Sequence, residues 1–209
     1  VRLRYRDVVM GDNPVLFWSL GEAAGTVAYD ELTPQPHNGH YVEGSGGGFA
    51  FVTGIVDADI GEKAVLFSDG GALSLNRFTP DTTLGNPYAF TYEWWWKGTN
   101  TPDGSRNETM AVIANNDGAR GGVSRITDSF RAMWDHIRTE SQYSYFESVN
   151  SFALAGFEAP FGSQMAGYWV RLIDPISDEL LKDVVYHFVV TFDGETLTSY
   201  VNGHLADSV

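Results

Sequence analysis

Cysteine is absent from the 209 residues of this chain. That excludes disulfides, Cys-ligated zinc and a cysteine nucleophile, and it leaves the redox compartment open. Basic charge is scarce: 13 Lys and Arg stand against 27 Asp and Glu, a formal net charge of −14. Nucleic-acid binders neutralise phosphates, and anionic membrane surfaces attract basic segments, so both are disfavoured as partners. No apolar run approaches the roughly 18 residues of a membrane-spanning helix. The basic opening Val1-Arg-Leu-Arg-Tyr-Arg6 leads into no apolar stretch and does not read as a signal peptide. Helical periodicity is nearly missing; Asp178-Glu-Leu-Leu-Lys182, with Ser177 as cap, reads as one short turn.

What is present is a folded, aromatic composition: 43% hydrophobic, 14% aromatic and 23 glycines. A chain this long buries a large core, as one domain or two small ones, and this mixture is that of a β-protein. Strand signals recur at short intervals. The alternation of residues 1–6 predicts a short strand or extended arm, within an N-terminal segment 1–14. Residues 64–67 and 72–75 flank Asp69-Gly-Gly71 and predict a hairpin. Residues 88–97 predict a long strand. Residues 186–192 alternate Tyr186, Phe188, Val190 and Phe192 against His187, Val189 and Thr191. A turn at Asp193-Gly-Glu195 and a return strand at 196–201 follow. Then comes Asn202-Gly203, the dipeptide favoured where both central turn residues need positive φ. Residues 124–161 are the least legible, although 130–134 and 143–146 have strand character. The expected fold is all-β, an antiparallel two-sheet sandwich or barrel over residues 15–209.

Several blocks taken together resemble the laminin-G-like domains of the concanavalin A-like superfamily. They are Asp12-Asn-Pro-Val-Leu-Phe-Trp-Ser-Leu-Gly-Glu22, Gly25-Thr-Val-Ala-Tyr-Asp30 and His37-Asn-Gly-His-Tyr41. Further along come Ile60-Gly-Glu-Lys-Ala-Val-Leu-Phe67, Phe90-Thr-Tyr-Glu-Trp-Trp-Trp-Lys97 and the closing segment from Tyr186 to Gly203. The resemblance implies a jelly-roll β-sandwich. It also implies further strands beyond the Val-Asn-Gly hairpin that would close the sheets, supplied by a later segment or by another chain. The opening block is similar, within this family, to domains of minor tail proteins and other virion proteins of actinobacterial bacteriophages. Secreted bacterial proteins carry similar domains.

Three kinds of site follow. On strand 90–97, Phe90, Tyr92, Trp94 and Trp96 form one stripe, expected to face the core, which turns Glu93 and Trp95 outward. A Trp beside a carboxylate suits a sugar ring, with the carboxylate accepting hydroxyl hydrogens; the alternative is a Trp95 covered by a loop or a neighbouring chain. Trp134, Tyr143, Tyr145 and Trp169 are further glycan-binding candidates. For metal, laminin-G-like domains sometimes bind calcium through loop oxygens, which makes Asp30, Asp69, Asn115, Asn116 and Asp117 candidates. Calcium needs about six to eight oxygens and no EF-hand spacing occurs, so turn-stabilising roles compete. His37-x-x-His40 lacks the partners of a zinc site. No other cofactor is expected.

For catalysis, the Glu-x-Asp strand motif of the superfamily's glucanases is missing, as are a Gly-x-Ser-x-Gly elbow and a phosphate-cradling loop. The expectation is a non-catalytic interaction module of a phage virion, attaching to other virion proteins, to copies of itself or to host surface glycans. A carbohydrate-binding domain of a secreted bacterial protein is the alternative, and a glycoside hydrolase a more distant one.

Overall fold

The computed structural model describes residues 4–32, 37–43, 47–56, 62–68, 72–75, 89–99, 108–112, 131–135, 152–158, 167–177 and 180–209. The chain divides into two compact units, Val1–Phe78 and Thr79–Val209. Strands in antiparallel sheets and one short helix make up the described elements, an all-β fold as expected.

The first described element is α1 (Tyr5–Gly11), a helix where the alternation of residues 1–6 predicts a strand or extended arm. Arg4 is still extended, with φ −75° and ψ 150°, and the chain turns helical immediately after it. The alternation of Val1, Leu3 and Tyr5 runs for too few residues to impose a strand. Asp7 lies in the first helical turn, where a negative charge meets the exposed amide N–H groups favourably. An ion pair between Arg6 and Glu31 ties the helix to the chain 25 residues on. Asn13 ends it in the left-handed region at φ 53°, and Pro14 follows.

The unit's strands are β1 (Val27–Ala28), β2 (Gly39–Val42), β3 (Phe49–Thr53), β4 (Lys63–Phe67) and β5 (Ala72–Leu75). They pair as β1–β2–β5 and, separately, β3–β4. The hairpin expected between residues 64–67 and 72–75 does not form: β4 takes β3 as partner and β5 takes β2. Pairing β4 with β3 sets Phe49 opposite Phe67 and Phe51 opposite Val65. The ring of Tyr41 then stacks on Phe49 at 5.0 Å and meets Phe51 edge-on at 5.5 Å. Aromatic cross-strand contact thus outweighs the turn signal of Asp69-Gly-Gly71. The Tyr41 hydroxyl donates to Glu22 Oε2 at 2.6 Å, and the Tyr29 amide donates to Glu22 Oε1 at 2.8 Å. Burial, reinforced by that carboxylate, pushes the Tyr41 phenol well above its ordinary pKa.

One buried carboxylate organises the irregular part of this unit. Asp30 is 7% exposed and bridges Trp18. Its Oδ1 accepts from the amides of Phe17 and Leu32 at 3.2 Å each, and its Oδ2 accepts from the His37 amide at 2.8 Å. The Asp30 amide donates to Asn38 Oδ1 at 3.0 Å, and the Trp18 indole donates to the His37 carbonyl at 3.0 Å. A buried charge is tolerable when hydrogen bonds satisfy it, and here they come from three separate stretches of backbone.

The second unit holds β6 (Phe90–Lys97), β7 (Glu108–Val112), β8 (Arg131–Asp135), β9 (Phe152–Glu158), β10 (Gly167–Arg171), β11 (Val185–Phe192), β12 (Leu197–Val201) and β13 (His204–Ser208). Two four-stranded sheets result, ordered β10–β9–β8–β7 and β13–β12–β11–β6. Burial along β11 alternates without a break: Tyr186, Phe188, Val190 and Phe192 are 4% exposed or less, and the residues between them are half-buried. With Phe90, Leu197, Val201, Val170, Leu172 and Leu180 they form the core, and Tyr92, Trp94 and Trp96 pack against it. Each fully buried side chain of this size contributes about 1.5–3 kcal/mol through lost contact with water. The buried Tyr186 hydroxyl is satisfied by the Leu181 amide at 2.8 Å.

β10 is fastened to the other sheet by polar groups. Buried Ser199 donates its hydroxyl to the Arg171 carbonyl at 2.7 Å, and Asp207 accepts from the Arg171 amide at 2.9 Å. At the turn after β11, Gly194 has φ 105°, and Asp193 Oδ1 accepts from the amides of Glu195 and Thr196 at 2.9 and 2.8 Å. The turn after β12 has φ 51° at Asn202 and 80° at Gly203, as its sequence predicts.

Two outcomes follow. Asp30→Asn sets an amide NH2 against backbone donors and should remove roughly 2–3 kcal/mol from the first unit. Hydrogen exchange reads this as lost protection at Phe17, Leu32 and His37; unchanged protection would contradict the role assigned to Asp30. The amides of Thr196 and then Glu195 hold the Asp193 carboxyl below its ordinary 3.8. Its contribution to stability is therefore complete above that value and disappears as pH falls through the lower folded one. Asp193→Asn should flatten this acid-side loss in melting curves taken from pH 5 downwards, and a profile identical to the wild type would refute the turn's role.

Candidate functional site

Because β6 is a strand, neighbouring residues must leave it on opposite sides. Phe90, Tyr92, Trp94 and Trp96 face the core, where Trp94 lies 5.4 Å from Phe188 and Phe90 lies 5.6 Å from Phe192. Thr91, Glu93, Trp95 and Lys97 take the outer face. The antiparallel register sets Trp95 opposite His187, Glu93 opposite Val189, Thr91 opposite Thr191 and Lys97 opposite Val185.

On that face three side chains form one cluster. The rings of Trp95 and His187 stack with centroids 4.6 Å apart and planes 25° from parallel. Glu93 Oε1 lies 2.8 Å from His187 Nε2. An ionised carboxylate only accepts, so the His187 Nε2 carries the proton in this contact. Both side chains of the pair are partly open to solvent, at 21% for His187 and 33% for Glu93. The backbone beneath is fixed as well. The His187 amide donates to Asn202 Oδ1 at 2.9 Å, and the Asn202 amide donates to the His187 carbonyl at 2.8 Å. The tight turn that ends β12 therefore also anchors the strand position carrying the imidazole. The result is an aromatic pair with a carboxylate at its side. Such a surface suits ligands that combine an apolar ring face with hydroxyl donors.

Glu93 and Trp95 are thus brought together as the strand pattern implied. His187 joins them, although nothing near it in the sequence marks it. Its signal was its place on the polar side of the β11 alternation, and it becomes a site residue only once β11 is paired with β6. Trp134 and Trp169 belong to the other sheet. There Trp134 stands opposite Ala153 and Trp169 opposite Gly156 on β9. Tyr143, Tyr145, Asp69, Asn115, Asn116 and Asp117 lie outside the described residues.

Asp30 is described, and its surroundings are those of a structural carboxylate. Both of its oxygens receive backbone N–H groups, which present positive ends where a calcium ion would have to sit. Among the described residues no group of three or more His, Cys, Asp or Glu is placed to hold a metal ion.

A double-mutant cycle over Glu93→Ala and His187→Ala should return a coupling of about 0.5 kcal/mol, the size usual for a half-exposed pair. A coupling indistinguishable from zero would mean that the contact does not organise the face. Compared with family models, curated proteins and solved structures, the chain matches none of them.

Proposed function

We propose that this chain is a non-catalytic adhesion module built as a jelly-roll β-sandwich of the laminin-G-like kind. Its place is a bacteriophage virion, on the tail, where it holds host surface glycans and neighbouring virion subunits or copies of itself. The observation that carries the adhesive reading is the outward Trp95–His187 stack with Glu93 beside it. It stands on a sheet whose opposite face is filled by the core, so the ring pair has a rigid base. Stiff support of this kind reduces the entropy lost on binding.

The virion placement is supported by the resemblance of the opening blocks. Residues 12–22, 25–30 and 37–41 meet physically at Asp30, whose oxygens take the amides of Phe17, Leu32 and His37. Three short, degenerate stretches therefore behave as one structural motif. A net charge of −14 keeps copies soluble before assembly. The same ring pair equally serves the alternative, a carbohydrate-binding domain of a secreted bacterial protein.

A glycan array probed with the full chain tests the adhesive role. Saturable binding should appear, and Trp95→Ala should weaken it by about tenfold or more, as expected for an aromatic anchor. No saturable binding on the array, or a Trp95→Ala protein that binds like the wild type, would overturn it.

A further inference from the structure

The outer face of the β13–β12–β11–β6 sheet carries a second feature away from Trp95. Thr91 of β6 stands opposite Thr191 of β11, Thr191 stands opposite Thr198 of β12, and Thr198 stands opposite Ser208 of β13. One hydroxyl residue from every strand thus falls into a single row across the sheet. All four are outside the core: Thr91 and Ser208 are exposed, and Thr191 and Thr198 are half-exposed. The Thr198 and Ser208 hydroxyls lie 3.1 Å apart, within hydrogen-bond distance. The next row is Glu93, Val189, Tyr200 and Leu205, and Leu205 is 60% exposed. The row after that holds Trp95 and His187.

We infer that this hydroxyl row is a binding track for a linear, uncharged polysaccharide lying across the strands; the inference rests on the adhesive reading and extends it to a ligand class. Adjacent strands are about 4.8 Å apart, so four rungs span roughly 14 Å. That step is close to the advance of one pyranose unit along an extended glycan chain, which lets each strand address one sugar. A threonine or serine hydroxyl both donates and accepts, and it rotates to suit its partner, as a hydroxyl-rich ligand requires. Threonine is also stiff at χ1, so little freedom is lost on binding. Val189 and Tyr200 in the neighbouring row offer the apolar surface that sugar C–H faces need. Charge sets the class. The row itself is neutral on a chain of net charge −14, so an uncharged polymer meets no repulsion while an acidic one does.

Calorimetric titration of the full chain with gluco-oligosaccharides linked β-1,4, from two to six units, and with polygalacturonate provides the test. Affinity should climb up to four units and then level off, and polygalacturonate should not bind. The double variant Thr191→Val, Thr198→Val keeps the strand-favouring shape and removes two hydroxyls. It should bind about tenfold more weakly, since each lost hydrogen bond is worth a few-fold. Thr191→Ser with Thr198→Ser should restore most of the affinity. Thr91→Val repeats the test on a strand remote from the Thr198–Ser208 bond, should the double variant prove unstable. Affinity that ignores chain length, or a double valine variant that binds like the wild type, overturns the track. If binding is then still lost in Trp95→Ala, the adhesive reading stands without it. Oligosaccharide binding that neither the valine variants nor Trp95→Ala disturbs overturns both.

Discussion

The pairing of β11 with β6 is the constraint on which the second unit depends. Eight residues of each strand are in register, from Val185 opposite Lys97 to Phe192 opposite Phe90. Strand side chains have a period of two, so one register assigns every residue of both strands to a face. It sends Phe188, Val190, Trp94 and Trp96 inward together, and it leaves Trp95, His187, Glu93, Thr91 and Thr191 together outside. A slip of β6 by one position would drive the Glu93 carboxylate and the Lys97 ammonium into the core while exposing the four aromatic rings of Phe90, Tyr92, Trp94 and Trp96. The energetic difference between those states is many side-chain burials of about 1.5–3 kcal/mol each. The core and the candidate site are therefore two sides of one choice.

The first unit relies on a different device. Its strands are short, and its described core is small, with Ala28 and Tyr41 the buried apolar residues. Order comes from two carboxylates that gather backbone and side-chain donors: Asp30 for the loops around Trp18 and His37, and Glu22 for Tyr29 and Tyr41. Charge-assisted bonds of this kind are shorter and stronger than neutral ones, and they are directional. They can define an irregular chain path where alternating hydrophobic residues cannot.

How much of this was legible in the sequence depended on the range of the interaction. The long alternation of residues 186–192 and the Asn202-Gly203 turn are local signals, and both appear in the structure as read. The outward place of Trp95 followed from the same parity. The pairing partners of β4 and β5 are not legible, because Asp69-Gly-Gly71 advertises a turn and says nothing of Phe67 on β4, which stands opposite Phe49 on β3 and beside the ring of Tyr41. Of the alternating opening, Tyr5 and Arg6 lie in a helix, where Asp7 in the first turn favours that conformation. His187 and the Thr91–Thr191–Thr198–Ser208 row were invisible for a related reason. Each member is an ordinary strand residue, and only the pairing of β6 with three consecutive strands far along the chain makes a row of them. Asp30 was noticed as an oxygen ligand, but its role as an acceptor for three amides depends on loops that no periodicity describes.

The register of β6 with β11 can be measured directly, because the chain has no native thiol to confuse the result. Residues directly opposite in an antiparallel pair lie about 4.5–5.5 Å apart at Cα, within reach of a disulfide. The variant Thr91→Cys, Thr191→Cys should close a disulfide under mild oxidation in the folded protein. The slipped pair Thr91→Cys, Val190→Cys places its thiols on opposite faces and should not. Cross-linking of the slipped pair in preference to the first would contradict the register, and with it the assignment of every residue on both faces of the sheet.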